Sequence, residues 1–213
     1  MPIDSASETT QRLMDASERL FAENGMSRTS LREITREAGA NIAAVNYHFG
    51  SKEALVREVF ARRMNSLNAA RIRMLDELLA AAAPAAASLE DVLLAFVGPT
   101  LEFGRRRPEA FRLFQRFHLE TREFREQCMG PELFREVMER FRAALVAALP
   151  GAPIVDQLWG MQFMLGSMIH IASIGEELER LSGGAMHPLS EEELVKRIID
   201  YSAAGFRAMG EDR

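Results

Sequence analysis

The first fifty residues are cut into short helices by glycines and helix-capping residues, and this punctuation limits the fold more than any other feature. In "ETTQRLMDASERLFAENG", Leu13, Ala16, Leu20 and Phe21 recur at helical spacing and form one apolar stripe, which Asn24-Gly25 ends. "TSLREITREAG" starts a second helix. Ser30 and Glu33 have the S-x-x-E spacing of a capping box, and Leu31, Ile34 and Ala38 face inward. Gly39 supplies a turn, and Asn41 can cap a short third helix with Ile42, Val45 and Phe49 along its inner side. Gly50-Ser51 closes that helix, and Ser51 caps a fourth that begins at Lys52. Three short helices with a glycine-centred turn between the second and third make a helix-turn-helix unit.

The rest of the chain keeps the same period, with no alternating β pattern, so the fold class is all-α with about nine helices. The fourth helix breaks in "AAAAPAAAS" at Pro84. The helix "LEDVLLAFVGPTLEFGRR" is expected to kink at Gly98-Pro99, and Pro108 opens the next one. Residues 1–52 are read as the helix-turn-helix domain and residues 53–213 as a larger helical domain, joined by the fourth helix. The 47% apolar and 27% charged residues are enough for a sizeable core. The run Leu158 to Gly175 approaches the length of a membrane span. Gln162, Ser167, His170 and Ser173 make it a helix buried in protein instead, so no membrane partner is expected. The polar N-terminus lacks a hydrophobic signal core, and the lone Cys128 excludes a disulfide framework. Both features point to a reducing cytoplasm.

A net charge of −5 argues against a nucleic-acid binder that uses its whole surface. Through Lys52 there are six Arg and Lys against seven Asp and Glu, so any such surface must rely on placement. The stretch "NIAAVNYHFGSKEAL" supplies that placement. On a helical wheel Ala43, Ala44, Tyr47 and His48 lie opposite the apolar side, with Asn46 on the flank. Small residues allow a helix to approach a major groove closely. Asn can read a base edge, while Tyr, His and Lys can anchor phosphates. Lys52 sits in the first turn of the fourth helix, and Thr29 and Ser30 sit at the start of the second, where free N–H groups also favour phosphate.

The whole stretch "TSLREITREAGANIAAVNYHFGSKEAL" resembles the DNA-binding domain of the tetracycline-repressor (TetR) family of bacterial regulators. The marks are the aromatic residue ending helix one, the T-S start of helix two, the A-G turn and above all "YHFGSKEAL". The resemblance implies an all-helical homodimer that binds double-stranded operator DNA. It also implies a C-terminal domain that forms a ligand pocket and, through its last two helices, the dimer interface. Carried over by position, Thr29, Tyr47, His48 and Lys52 match phosphate contacts, with Ser30 beside them, while Asn41, Ala43 and Asn46 match positions near bases. Many relatives have Tyr where this chain has Asn46, so the base preference is not transferable.

The dimer is expected to form through the Ile154–Leu181 and Glu191–Met209 helices. Gly160, Gly166 and Gly175 would allow close approach, and Ile198, Ile199 and Phe206 would supply apolar contact. The apolar stripe Phe96, Phe103, Phe111, Phe114, Phe117, Trp159, Phe163, Met164 and Met168 is core first. An enclosed pocket lined by it would suit an elongated apolar ligand. The C-terminal helices resemble, more loosely, family members that answer to fatty acids or their coenzyme A esters. A planar aromatic effector stacked on Trp159 is the alternative. His118 and His170 are read as core histidines, so neither a metal nor a cofactor is expected, and Cys128 is read as structural. Arg105-Arg106-Arg107 is either a solvated helix end or a partner for an anionic head group. No nucleophile–base–orienter set is present, so the chain is not expected to be an enzyme. A carrier or scaffold without DNA activity would use the stripe but would leave the first fifty residues without a role. The expected function is therefore a ligand-responsive regulator, a repressor released from a near-palindromic operator.

Overall fold

In a computed structural model of the chain, residues 3–130, 132–187 and 189–211 are described, and their regular structure is helical throughout. Among the described residues ten helices follow one another: α1 (Ile3–Asn24), α2 (Leu31–Glu37), α3 (Ile42–Phe49), α4 (Lys52–Ala82), α5 (Leu89–Arg106), α6 (Pro108–His118), α7 (Arg122–Cys128), α8 (Glu132–Ala148), α9 (Ile154–Leu181) and α10 (Glu191–Glu211). The helix beyond the expected nine is α7. Thr121 starts it by accepting a hydrogen bond from the Phe124 N–H at 3.3 Å.

The caps form where the sequence puts them. Ser30 and Glu33 make a complete capping box, Asn41 Oδ1 accepts from the Ala44 N–H at 2.9 Å, and Ser51 Oγ accepts from the Ala54 N–H at 3.1 Å. Gly39 and Gly50 have φ of 61° and 79°, a left-handed backbone in which a side chain would be strained, and these two residues turn the chain into and out of α3. Pro108 occupies the first turn of α6. α5 stays one helix through Pro99, which lacks the N–H that the carbonyl four residues earlier would accept.

The helices pack into two compact units, and the packing divides the chain elsewhere than at residue 52. Unit 1 comprises residues 1–66 and 103–133; unit 2 comprises residues 67–102 and 134–213. α6 packs on α1, and the α6–α7 segment joins α1–α3 in unit 1. Phe60 lies 4.9 Å from Phe114 and 4.7 Å from Phe117, ring centre to ring centre, and Phe103 stacks on Phe114 at 5.5 Å. Polar bonds fasten the loops of unit 1. Glu120 Oε1 accepts from the Met26 and Ser27 N–H groups at 2.8 and 3.1 Å. Arg116 donates to the Glu23 carbonyl at 3.0 Å, and Arg57 to the Gln127 carbonyl at 2.9 Å. Arg62 and Arg63 both pair with the buried Glu18 carboxylate.

Unit 2 has its own core, with Leu75, Leu93, Phe96, Phe141, Met164, Met168, Ile198 and Phe206 at its centre. Phe96 meets Phe141 edge to face at 5.3 Å. Two readings need correction here. Ile198, Ile199 and Phe206 are buried in the chain's own core and do not supply an outward face. Gly160 serves the same core, since a Cβ there would lie 2.6 Å from the Phe206 ring. The exposed apolar residues of α9 and α10 include instead Val155, Leu158, Trp159, Phe163 and Tyr201. Gly166 has open space around it, and Gly175 lies among the residues whose surroundings are not described.

Candidate nucleic-acid interface

α3 is an eight-residue helix with one fully buried side chain, Val45. Phe49 is half-buried, and Ile42, expected inside, is 40% exposed because it sits at the open first turn. Ala43, Asn46 and Tyr47 are exposed and Ala44 is half-exposed, so the small and hydrogen-bonding face is free. Tyr47 is 83% exposed, a degree no aromatic reaches when it serves a core. It meets the His48 ring edge-on at 5.0 Å. His48 Nδ1 is hydrogen-bonded to Thr10 Oγ1 at 3.1 Å, which fixes the imidazole between α1 and α3.

An open concavity of about 460 Å³ runs along this face. Its lining includes Asn41, Ala43, Tyr47 and His48, together with Thr9 and Arg12 of α1. The α1 pair was not among the sequence candidates. Its signal was an exposed cation and a hydroxyl one turn apart on the polar side of α1, and Arg12 donates to Thr9 at 3.3 Å. The Asn41 side chain also serves as a cap. Its carbonyl oxygen is occupied as the α3 cap, which leaves the amide N–H₂ to face outward.

Ser30 Oγ and N–H both engage Glu33 Oε2 at 2.7 Å. These bonds, backbone first and side chain second, hold the Glu33 carboxyl below its usual range. Lys52 is half-buried and donates to the Ser27 carbonyl at 3.1 Å. Burial pulls its pKa below the ordinary lysine value, partly opposed by Glu53 and Glu120. One of its three donors is thus engaged at the α1–α2 loop, within the same surface.

Thr29 is corrected. Its side chain is buried and donates to the Gly25 carbonyl at 2.8 Å and approaches the Leu20 carbonyl at 3.3 Å, so its hydroxyl ties α1 to the loop and is not presented to solvent. Thr29→Val should cost about 1 kcal/mol of stability and leave the salt dependence of DNA binding unchanged. Denaturant unfolding and a salt titration check the two halves, and a flattened salt slope would return Thr29 to the phosphate contacts.

The stripe expected to line one pocket is divided. Phe103, Phe114 and Phe117 pack in unit 1 and Phe96, Met164 and Met168 in unit 2. Trp159 and Phe163 line no interior. They are exposed and stack on each other at 5.8 Å with 25° between their planes. Within unit 2 a void of about 10 Å³ lies beside Phe141, Gln157 and Met161, which is room for one water and not for an acyl chain. The Cys128 thiol is buried, and burial raises its pKa to about 11, so it is unreactive. His118 and His170 are exposed, not core residues, and desolvation of the His118 ring, with Arg125 nearby, lowers its pKa. No group of acidic, His or Cys side chains suited to a metal is found among the described residues, and none of their helices is long and apolar enough to cross a membrane.

A short outward helix held by two glycine turns, with a groove beside it and hydrogen-bonding side chains around it, defines a helix-turn-helix regulator of transcription. Comparison with known proteins agrees along the chain. Residues 13–59 match the model "Bacterial regulatory proteins, tetR family", and residues 94–205 match "Tetracyclin repressor-like, C-terminal domain". The chain belongs to the TetR family of bacterial regulators, whose members are not enzymes. Among curated relatives, the HTH-type transcriptional regulator AcrR of Shigella flexneri is 42% identical over 55 residues, 26% of each chain. The dual regulator CecR of the same organism is 48% identical over 48 residues, 22% of this chain and 21% of that one. The match thus spans only about a quarter of the length of each of these two relatives.

Solved structures share the fold over nearly the whole chain. A TetR-family regulator from Marinobacter aquaeolei VT8 has a TM-score of 0.64 at 18% identity, covering 95% of this chain and 97% of that one. The fatty acid degradation regulator FadR from Bacillus halodurans has a TM-score of 0.61 at 12% identity, covering 96% and 95%.

Proposed function

We propose that this chain is a dimeric, operator-binding transcriptional regulator whose hold on DNA is released by a small, largely apolar effector. The exposed face of α3, with Tyr47 outermost, carries the DNA half of this reading. Ala43 and Ala44 permit close approach to a major groove, and Asn46 is the base reader. Tyr47, His48, Lys52 and Ser30 hold the backbone, joined by Thr9 and Arg12. Each protomer offers one α3, so a two-fold dimer calls for a near-palindrome with half-sites one helical turn, about 34–36 Å, or a multiple apart. In functional terms residues 1–52 face DNA, and residues 53–213 serve dimerisation and the effector.

The effector half is supported by the apolar, methionine-rich interior of unit 2, whose adaptable side chains must part to admit an elongated chain such as a fatty acid or its coenzyme A ester, since the void beside Phe141 holds only a water. The exposed Trp159–Phe163 stack leaves a planar aromatic effector without the inner platform it needs. Such a ligand acts by binding one arrangement of the dimer better than another, and only that difference shifts the equilibrium.

Selection from random duplexes tests the DNA reading and yields the operator. On that operator Lys52→Ala should weaken binding to all sequences alike and lower the salt slope by about one per protomer. Asn46→Ala should relax preference at one position per half-site, at about 1–3 kcal/mol. No enrichment of any duplex would end the DNA reading and leave a carrier or scaffold role.

A further inference from the structure

We propose that Arg71 is the anchor of a buried anion site in unit 2, and that it takes the carboxylate of an otherwise apolar effector. Arg71 lies on α4 and is 5% exposed, yet no carboxylate faces it among the described residues. Its polar partners are all neutral. Nε and Nη2 donate to Thr100 Oγ1 at 3.2 and 2.9 Å, and Nη1 donates to Asn68 Oδ1 at 3.1 Å. The guanidinium carbon lies 3.8 Å from the centre of the Phe96 ring.

Thr100 is set to accept. Its hydroxyl proton is given to the Phe96 carbonyl at 2.5 Å, which turns its lone pairs toward Arg71. These bonds orient the guanidinium without neutralising it, and burial lowers its pKa to about 9, so it remains charged at neutral pH.

A guanidinium has five N–H donors, and the three bonds above leave one on each terminal nitrogen without an acceptor among the described residues. Two free N–H groups, one on each terminal nitrogen, are donors that the two oxygens of a carboxylate can take up. A buried cation with neutral partners alone is costly, and an entering anion removes that cost, so the site favours charge on the ligand. The Phe96 ring covers one side of the guanidinium, and Met74 and Leu75, three and four residues further along α4, belong to the apolar core of the same unit. The ligand class that follows is an apolar body with one anionic oxygen pair. This inference rests on the reading of unit 2 as the effector domain.

Thermal shift and titration of the whole protein at pH 7.5 with four probes test it: dodecanoate, dodecanoyl coenzyme A, dodecanol and 2-naphthoate. A free carboxylate should bind at least tenfold more tightly than dodecanol, and Arg71→Met should abolish that preference while leaving the unliganded Tm at or above wild type. Arg71→Gln serves as the second variant if Arg71→Met does not fold. Preference for dodecanoyl coenzyme A over dodecanoate, lost in the same variants, would move the anion from carboxylate to phosphate and overturn the carboxylate assignment. Equal binding of dodecanoate and dodecanol would overturn the Arg71 site and leave an apolar effector standing. Arg71-dependent binding of 2-naphthoate alone would keep the site and remove the acyl class. If no anion binds in an Arg71-dependent way, the site does not exist.

Discussion

Phe163→Glu is expected to leave the chain monomeric at micromolar concentration and to remove operator binding. Val155, Trp159 and Phe163 follow one another four residues apart on α9, and each is more than half exposed. On α10, Tyr201 is 72% exposed and is followed at helical spacing by exposed Ala204, Gly205 and Ala208. A continuous apolar face of this kind on a folded chain marks an interface, and small residues on α10 allow another helix to come close. The proposed dimer uses these last two helices, so a second copy is the expected occupant. Two-fold symmetry introduces the carboxylate twice. A loss of even 3 kcal/mol, within the range for one central aromatic contact, weakens association more than a hundredfold. Phe163 lies outside the core, so the thermal stability of the separated protomer should hardly change. Sedimentation velocity on wild type and variant reads the result directly. A dimeric Phe163→Glu protein would place the interface elsewhere, and a monomeric wild type would remove it altogether.

How much was legible in the sequence depended on whether a residue's role is local. Ser30 with Glu33, Asn41 and Ser51 are caps whose partners lie three residues away, so spacing alone placed them. Gly39 and Gly50 were legible for the same reason, because a left-handed turn is a property of one residue. Thr29 was not. It precedes Ser30 and has the same chemistry, and only the return of the chain past Gly25 and Leu20 turns it inward. α7 was hidden because seven mostly polar residues carry too little apolar period to register, although Thr121 was available as its cap. The Phe and Met stripe shows the limit most clearly. Periodicity says that a face is apolar but not what covers it. Phe114, Met164 and Phe163 read alike in sequence, yet they fall in the core of unit 1, the core of unit 2 and the open surface of α9. Arg71 is one of five arginines between Glu53 and Leu75. Nothing in its neighbours' identities says that one of five lies in the interior.

Gly160→Ala should be among the most damaging single-methyl additions in unit 2. Helix propensity alone favours Ala over Gly in a helix interior by about 1 kcal/mol. At Gly160, however, the new Cβ would lie 2.6, 2.7 and 2.9 Å from three carbons of the Phe206 ring, closer than carbon atoms approach one another. The ring is 3% exposed and held by its own core neighbours, so α9 and α10 must move apart. Overpacking of this kind costs about 1–3 kcal/mol, and here the upper half of that range is expected. For a chain of this size the Tm should fall by about 4–12 °C. Gly166→Ala is the contrast on the same helix, since nothing lies within 4 Å of its added carbon. It should raise the stability of the protomer by up to about 1 kcal/mol, while any loss of dimer strength would show that a second copy fills that space. Phe206→Leu should recover part of the Gly160→Ala loss, because the shorter side chain vacates the position the methyl needs. Thermal unfolding of the two single variants and the double variant gives the coupling. An unchanged Tm in Gly160→Ala, or strict additivity with Phe206→Leu, would mean that α9 and α10 do not meet at these two residues.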